Sequence, residues 1–193
     1  RSLIMRRGNS IVIFACILVI FSILLVNKQA PPEPIHKITY FSYPDQHDQI
    51  FSTNNLTDKI TIADFFFTSC PAICPMMNRY MKELNEFYTN TPNIQFLSIS
   101  VDPNNDTKSV INNYIDMQGL KYSNWFFLES ELESISELLE KGFLLSGDGL
   151  PGQHSTKFIL INSNAQILGY YEPSNTDEFN KLKSDATYLL NRL

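Results

Sequence analysis

The sequence has few cysteines and little positive charge, and both shortages restrict what the protein can do. Three cysteines occur among 193 residues, too few for a small exported domain held together by several disulfides. When Arg1, Arg6 and Arg7 are set aside, 12 basic residues remain against 20 acidic ones, for a formal charge of −8. A domain this acidic lacks the positive surface that binds phosphate backbones, so we expect no nucleic-acid partner.

One long apolar run lies near the N-terminus. The 16 residues from 11 to 26 carry no charge, and Arg6 and Arg7 precede them. As a helix they span about 24 Å, close to the ~30 Å hydrocarbon core of a bilayer. We therefore predict a cytoplasmic N-terminus at residues 1–9 and a single transmembrane signal anchor at 10–27. The two arginines keep the N-terminus inside, so the rest of the chain is expected on the periplasmic side of a bacterial inner membrane.

Two other interpretations of this segment stay open. A cleaved signal peptide is less favoured because no small-residue cleavage site follows Val26. A lipoprotein signal ending at Cys16 is also less favoured, since the apolar run continues well beyond that cysteine. An uncleaved anchor explains the pattern best.

The remainder of the chain predicts one α/β domain. A proline-rich linker covers residues 28–36, and no second linker or repeat divides residues 37–193. Two nearly continuous apolar runs, 60–67 and 94–101, predict strands that are buried on both faces. The predicted elements are, in order, a strand pair within 38–57, strand 60–67 and its helix, strand 94–101 and helix 107–117, strand 125–128 and helix 130–143, a hairpin of 157–161 with 167–171, and a last helix capped by Ser174. This order predicts a thioredoxin-like three-layer α/β/α sandwich.

Two of the cysteines, Cys70 and Cys74, follow directly after the predicted strand 60–67. The N–H groups at a helix N-terminus stabilise the thiolate there, and thiolate is the form that attacks disulfides and binds metals. If both residues are helical, their Cα atoms lie about 6 Å apart, which suits either a disulfide or one shared metal ion. We therefore predict redox or metal chemistry, with a permanent structural disulfide as the alternative.

Among the three histidines, His154 is the candidate for a third ligand. His36 adjoins the linker and His47 lies in a predicted loop, so we expect both to be exposed. His154 leads into the predicted strand 157–161, and in a thioredoxin-like sandwich the loop before that strand lies beside the active-site helix. Two thiolates suit Cu(I), and an added imidazole suits Cu(II).

Together these motifs resemble the Sco/SenC family over residues 38–193. The motifs that carry the resemblance are Thr68, CPAICP at 70–75, SVDPNNDT at 100–107, and His154 with Ser155 before a hydrophobic strand. The resemblance implies copper held by Cys70, Cys74 and His154. It also implies a metallochaperone that delivers copper, or reducing equivalents, to the CuA-bearing subunit of cytochrome c oxidase or to another exported copper or thiol protein.

A second function stays open from the residues alone. A thiol-disulfide oxidoreductase could reduce the cysteines of an oxidase subunit or of another exported protein, with Cys70 as the nucleophile and Cys74 as the resolving cysteine. A peroxidase is a weaker third interpretation, because no arginine stands near enough to the cysteine pair in the sequence to suggest activation of a peroxide.

Four residues near these motifs bear on the resemblance. Asp102 and Asp106 match the acidic pair of the family, although their simpler interpretation is that they end a strand and start a helix. Ala72 and Gln153 stand where family members often carry acidic residues. Their neutral side chains remove negative charge near the site, so copper affinity and redox potential need not match those of relatives.

Overall fold

Two parallel strands form the centre of the fold, and both correspond to predicted apolar runs. The protein is represented by a computed structural model that describes residues 32–193 together with Cys16. Strands β4 (Ile60–Phe66) and β5 (Ile94–Ser100) are buried along their whole length and pair in parallel. Continuous apolar sequence is expected where a strand is covered on both faces.

The other elements surround this pair. In chain order the described strands and helices are β1 (His36–Lys37), β2 (Ser42–Pro44), β3 (Ile50–Ser52), a 3-10 turn (Thr53–Leu56), β4, α1 (Ile73–Phe87), β5, α2 (Lys108–Gln118), β6 (Trp125–Leu128), α3 (Leu132–Glu137) continued by a π-helical turn (Leu138–Gly142), β7 (Phe158–Ile161), β8 (Gln166–Tyr171) and α4 (Thr176–Leu190). The six-stranded sheet has the order β1-β8-β7-β4-β5-β6. Strands β4, β5 and β6 are parallel, whereas β7, β8 and β1 join antiparallel.

Helices cover both faces of this sheet. Successive side chains of β4 point to opposite faces, as the strand period of two requires. Ile62 and Phe66 pack in one core with α1, α2 and α4, whereas Ala63 and Phe65 pack in a second core with α3 and the β2–β3 hairpin. The mixed sheet between these layers confirms the predicted α/β sandwich.

The N-terminal strands differ from the prediction. Within the predicted strand pair at 38–57, the hairpin strand β2 begins only at Ser42, and the preceding Ile38 and Phe41 bury their side chains in the second core. His36 belongs to an unpredicted edge strand that pairs with β8. Its Nε2 lies 2.8 Å from the carbonyl oxygen of Lys141, so His36 is only partly exposed.

The last helix begins one residue later than predicted. Asn175, and not Ser174, is its N-cap, since the Asn175 side chain accepts hydrogen bonds from the N–H groups of Asp177 and Glu178. Both residues are good capping types, so the sequence alone does not separate them.

The predicted anchor at residues 10–27 lies outside the described residues, apart from Cys16. Within the part of the chain that the structure describes, no helix is both long and apolar enough to cross a membrane. The anchor stays a prediction from the sequence.

Candidate metal centre

The two cysteines lie on either side of the start of α1. Cys70 is in the loop that follows β4, and Cys74 is the second residue of the helix, so they do not share a helical face. Their side chains are nevertheless adjacent, because the backbone N–H of Cys74 donates to Cys70 Sγ at 3.3 Å. The residue at the N-cap position, Ala72, has no capping side chain. The sulfur of Cys70 therefore satisfies one of the N–H groups that a helix start leaves unpaired.

The two thiols have opposite acid–base character. Burial alone would raise the pKa of Cys70, but the backbone N–H groups of Cys74, Ala72 and Ile73 point at its sulfur and lower the pKa below the usual value. Burial raises the pKa of Cys74, and the neighbouring Cys70 and Asp64 raise it further. Cys70 is partly exposed whereas Cys74 is buried. Cys70 is therefore the more acidic and the more accessible thiol of the pair.

His154 comes to the same place from the loop before β7. Its side chain is 8% exposed, and its Nε2 lies 3.7 Å from Cys74 Sγ. Its Nδ1 lies 2.9 Å from the carbonyl oxygen of Ser155. A carbonyl can only accept, so Nδ1 carries the proton and Nε2 presents its lone pair to Cys74. Phe67 packs edge-on against the imidazole, with ring centroids 5.4 Å apart.

The surroundings of His154 favour the neutral form of its imidazole. Burial lowers the pKa of His154, and the hydrogen bond to Ser155 offsets this only in part. A metal binds neutral imidazole, and a second hydrogen bond that fixes its tautomer is the usual feature of a ligating histidine. The geometry of His154 is therefore that of a ligand before any metal arrives.

The structure brings the three predicted site residues together. The ligand atoms of Cys70, Cys74 and His154 all lie within 4.8 Å of one another, and both cysteines are free thiols. Among the described residues this is the only such group of three or more metal-ligating side chains. His47 is exposed, as predicted. Two soft thiolates with one imidazole nitrogen form a donor set that fits Cu(I) and Cu(II).

The site opens onto a cleft of about 330 Å³. The described residues that line it are Phe67, Cys70, Pro71, Ala72, Ile73, Gly152, His154 and Thr156. Apart from the sulfur of Cys70 in its thiolate form, none of these side chains is charged when His154 is neutral. Ala72 and Ile73 are exposed beside Cys70, so a partner meets an apolar rim around the accessible sulfur.

Two residues of the site were not predicted. Phe67 was assigned to the core, yet its ring contacts His154. Asp64 was not singled out, although it is the one acidic residue of the fully buried strand β4 and is 1% exposed. Its presence in a fully buried strand was a usable signal, since unpaired carboxylates are rarely fully buried.

A thioredoxin-like sandwich with two thiols and an imidazole at a strand–helix junction defines a class of dithiol proteins that have an additional metal donor. The model of the SCO1/SenC family matches residues 29–185. The chain therefore belongs to the SCO1/SenC family, as the motifs predicted.

Individual relatives agree with this assignment. The chain is 26% identical over 157 residues to the SCO1 protein homolog of Bacillus subtilis (strain 168), which covers 78% of this chain and 81% of that relative. BsSco, described as a member of the Sco family of cytochrome c oxidase assembly proteins with a disulfide switch, matches with a TM-score of 0.74 and 24% identity over 84% of this chain and 99% of its own. Copper-bound ScoI of Bradyrhizobium japonicum matches with a TM-score of 0.64 and 20% identity over 80% and 99%. At these identities the two structures show the shared fold.

Proposed function

We propose that this protein is a membrane-anchored copper metallochaperone that supports assembly of the CuA site of cytochrome c oxidase. The observation that carries the proposal is the convergence of Cys70, Cys74 and His154, whose ligand atoms lie within 4.8 Å of one another. One copper ion per chain would be held by these three side chains. The proposed anchor, residues 10–27, would keep the copper domain at the periplasmic face of the membrane.

The chemistry of the donors favours copper as the cargo. Thiolates are soft ligands that select Cu(I), and imidazole extends the set to Cu(II). A copper-bound relative, ScoI, has the same fold. The partner follows from the family, since BsSco belongs to cytochrome c oxidase assembly proteins. The proposed recipient is therefore the CuA-bearing subunit of the oxidase.

The exposure of the ligands sets an order for release. Cys70 is partly exposed, whereas Cys74 and His154 are buried. A ligand of the recipient can reach the copper from the Cys70 side first, because the cleft beside that sulfur is open to solvent. We expect Cys70 to exchange first and the two buried donors to follow.

The test is a Cu(II) titration of the reduced protein and of the variant His154→Ala. We expect one Cu(II) per chain in the wild type and a loss of affinity of at least about 10-fold in His154→Ala, because a ligating imidazole is removed. His47→Ala is the matched control, since His47 is exposed and outside the site. Equal Cu(II) affinity in the wild type and His154→Ala would contradict the proposed site.

A thiol-disulfide oxidoreductase is the second candidate, and the unequal thiols favour it. The Cys70 thiolate would attack a disulfide of the partner and release one partner thiolate, which takes up a proton. Cys74, after losing its proton, would then attack Cys70 Sγ in the mixed disulfide and release the second partner thiol. The partner gains two electrons, and a Cys70–Cys74 disulfide remains, which an external dithiol must reduce before the next cycle.

The reduction potential of the cysteine pair decides whether this second function is feasible. A structural disulfide has a potential below about −300 mV, whereas exchanging pairs lie at higher values. We expect the pair to equilibrate with glutathione buffers, measured by mass spectrometry of alkylated protein. A pair that stays fully oxidised in reducing glutathione would exclude this function and leave the copper titration unaffected.

A further inference from the structure

The two acidic residues of the DPNNDT segment, Asp102 and Asp106, make different contacts. Asp106 is 0% exposed, and its carboxylate reaches the loop that carries Cys70. The backbone N–H of Thr68 donates to both of its oxygens, at 3.2 and 3.1 Å, and the Thr68 hydroxyl donates at 2.5 Å. The hydroxyl of Ser100 donates to it at 2.7 Å. Asp106 thus joins the ends of β4 and β5.

Asp102 does not share these contacts. In the described part of the chain, its carboxylate accepts hydrogen bonds from the side chain of Asn105 alone, at 3.0 Å to each oxygen. This contact is local to the turn before α2. The N-cap of α2 is Thr107, so starting that helix does not account for the buried side chain of Asp106 either.

The burial of the Asp106 carboxylate has an energetic cost that its contacts must offset. An ionised group loses the solvation of water when it is buried, so its hydrogen bonds must replace that solvation. Within residues 32–193 no lysine or arginine forms an ion pair with Asp106. Neutral donors from Thr68 and Ser100 alone satisfy it, and three of the four contacts come from Thr68.

Thr68 lies just beyond the point at which the chain leaves the sheet. The β4–β5 ladder ends with the pair Phe66 and Ser100, and Val101 N–H donates to the carbonyl of Phe66. Two residues after Phe66, the backbone N–H and the hydroxyl of Thr68 both donate hydrogen bonds to the Asp106 carboxylate. Cys70 follows after another two residues, and its N–H donates to the carbonyl of Phe67 at 3.3 Å. The direction of the loop at Thr68 therefore sets the position of Cys70.

We propose that Asp106 is a positioning residue for the Cys70–Cys74–His154 site: by clamping Thr68 it holds Cys70 Sγ against the N-terminus of α1 and within reach of the other two donors. Asp106 does not contact the metal. The proposal rests on the proposed function only for its copper readout. Its second readout, the reactivity of Cys70, needs no copper.

The principal variant is Asp106→Asn, with Asp102→Asn as the matched control. An asparagine at 106 has nearly the same shape, but it offers one acceptor oxygen in place of two and turns an amide donor toward Thr68 or Ser100. We expect Cu(II) affinity to fall by about 10- to 100-fold, the range for residues that orient metal ligands. We also expect the pH profile of Cys70 alkylation in the metal-free protein to move to higher pH. Asp102→Asn should leave both readouts at wild-type values.

Variants of the partner residue separate positioning from folding. Thr68→Val removes the hydroxyl and keeps the backbone donor, so we expect a smaller change in the same direction as Asp106→Asn. Thr68→Ser keeps both donors, so we expect it to retain the wild-type copper affinity and alkylation profile. All measurements are made below the onset of thermal unfolding of each variant. If Asp106→Asn does not fold, the comparison of Thr68→Val with Thr68→Ser still decides.

Wild-type copper affinity and alkylation in folded Asp106→Asn and Thr68→Val would overturn the proposal, as would an equal loss in Asp102→Asn. Failure of the proposed function gives a different pattern. In that case His154→Ala binds copper like the wild type, while the alkylation profiles of the Asp106 and Thr68 variants still test the clamp.

Discussion

Asp64 gives the fold a pH dependence that a single substitution should remove. The side chain is 1% exposed in the centre of β4, and its described hydrogen bond comes from the Ser98 hydroxyl at 2.5 Å. The same hydroxyl accepts from the indole N–H of Trp125 at 2.9 Å. Burial raises the pKa of Asp64 from 3.8 to about 7, and the bond from Ser98 offsets this only in part.

The direction and the size of this pH dependence follow from the linkage between proton binding and folding. The folded state binds the Asp64 proton more tightly than the unfolded state, so the free energy of unfolding falls as pH rises from about 4 to about 7 and levels off above that. A pKa difference of about three units corresponds to about 4 kcal/mol. Asparagine cannot ionise, but its amide needs a partner, which costs about 1–2 kcal/mol. We expect Asp64→Asn to be more stable than the wild type by roughly 2–3 kcal/mol at pH 8 and no more stable near pH 4.

Urea unfolding of the reduced, metal-free proteins between pH 4 and pH 8 measures this difference. Cys74 and Tyr114 interact with Asp64, but the pKa of each is raised above its usual value, mainly by burial, so both stay neutral over this range. His154 titrates alike in the wild type and the variant and cancels. A stability difference that is constant from pH 4 to pH 8 would contradict this expectation, since it would mean that folding does not change the charge state of Asp64.

Three further outcomes are expected. Iodoacetamide should modify Cys70 much faster than Cys74 at pH 7, because the pKa of Cys70 is lowered and that of Cys74 is raised; equal rates in Cys70→Ser and Cys74→Ser, read by mass spectrometry, would contradict this. Met81→Ala should lower the free energy of unfolding in urea by about 2–5 kcal/mol, since Met81 is 0% exposed. Met117→Ala is its control, because Met117 is 80% exposed, and a change there beyond about 0.5 kcal/mol would count against the assignment of the core. Gly119→Ala should lower stability by about 1 kcal/mol, because Gly119 ends α2 at φ 64°, and the only described neighbour that an added Cβ would meet is Lys82 Nζ at an ordinary contact distance of 3.7 Å; thermal unfolding at the wild-type midpoint would disprove the strain.

The strongest elements of the fold could be predicted because their sequence patterns match their surroundings. The runs of β4 and β5 are predominantly apolar because both faces of the sheet are covered. The bounds of the edge strands are less well predicted, because an edge strand does not need a continuous apolar sequence. β1 has two residues, and its pairing with β8 depends on backbone hydrogen bonds that leave no pattern in the side chains.

The candidate site was predictable in its members but not in its details. Cys70, Cys74 and His154 stood out by residue type, spacing and position relative to predicted strands. The contact between Asp106 and Thr68 joins residues 38 positions apart through a buried carboxylate, which no local pattern reveals. The opposite pKa shifts of Cys70 and Cys74 likewise depend on where the helix begins, which only the backbone geometry defines.

X-ray absorption spectroscopy of the copper-loaded protein directly identifies the atoms that bind copper. We expect a copper centre with two sulfur ligands and one imidazole nitrogen, with Cu–S scattering reduced in Cys70→Ser or Cys74→Ser. In His154→Ala the imidazole contribution should disappear while sulfur scattering remains. A spectrum without sulfur scattering, or one that none of these variants changes, would contradict the assignment of copper to Cys70, Cys74 and His154.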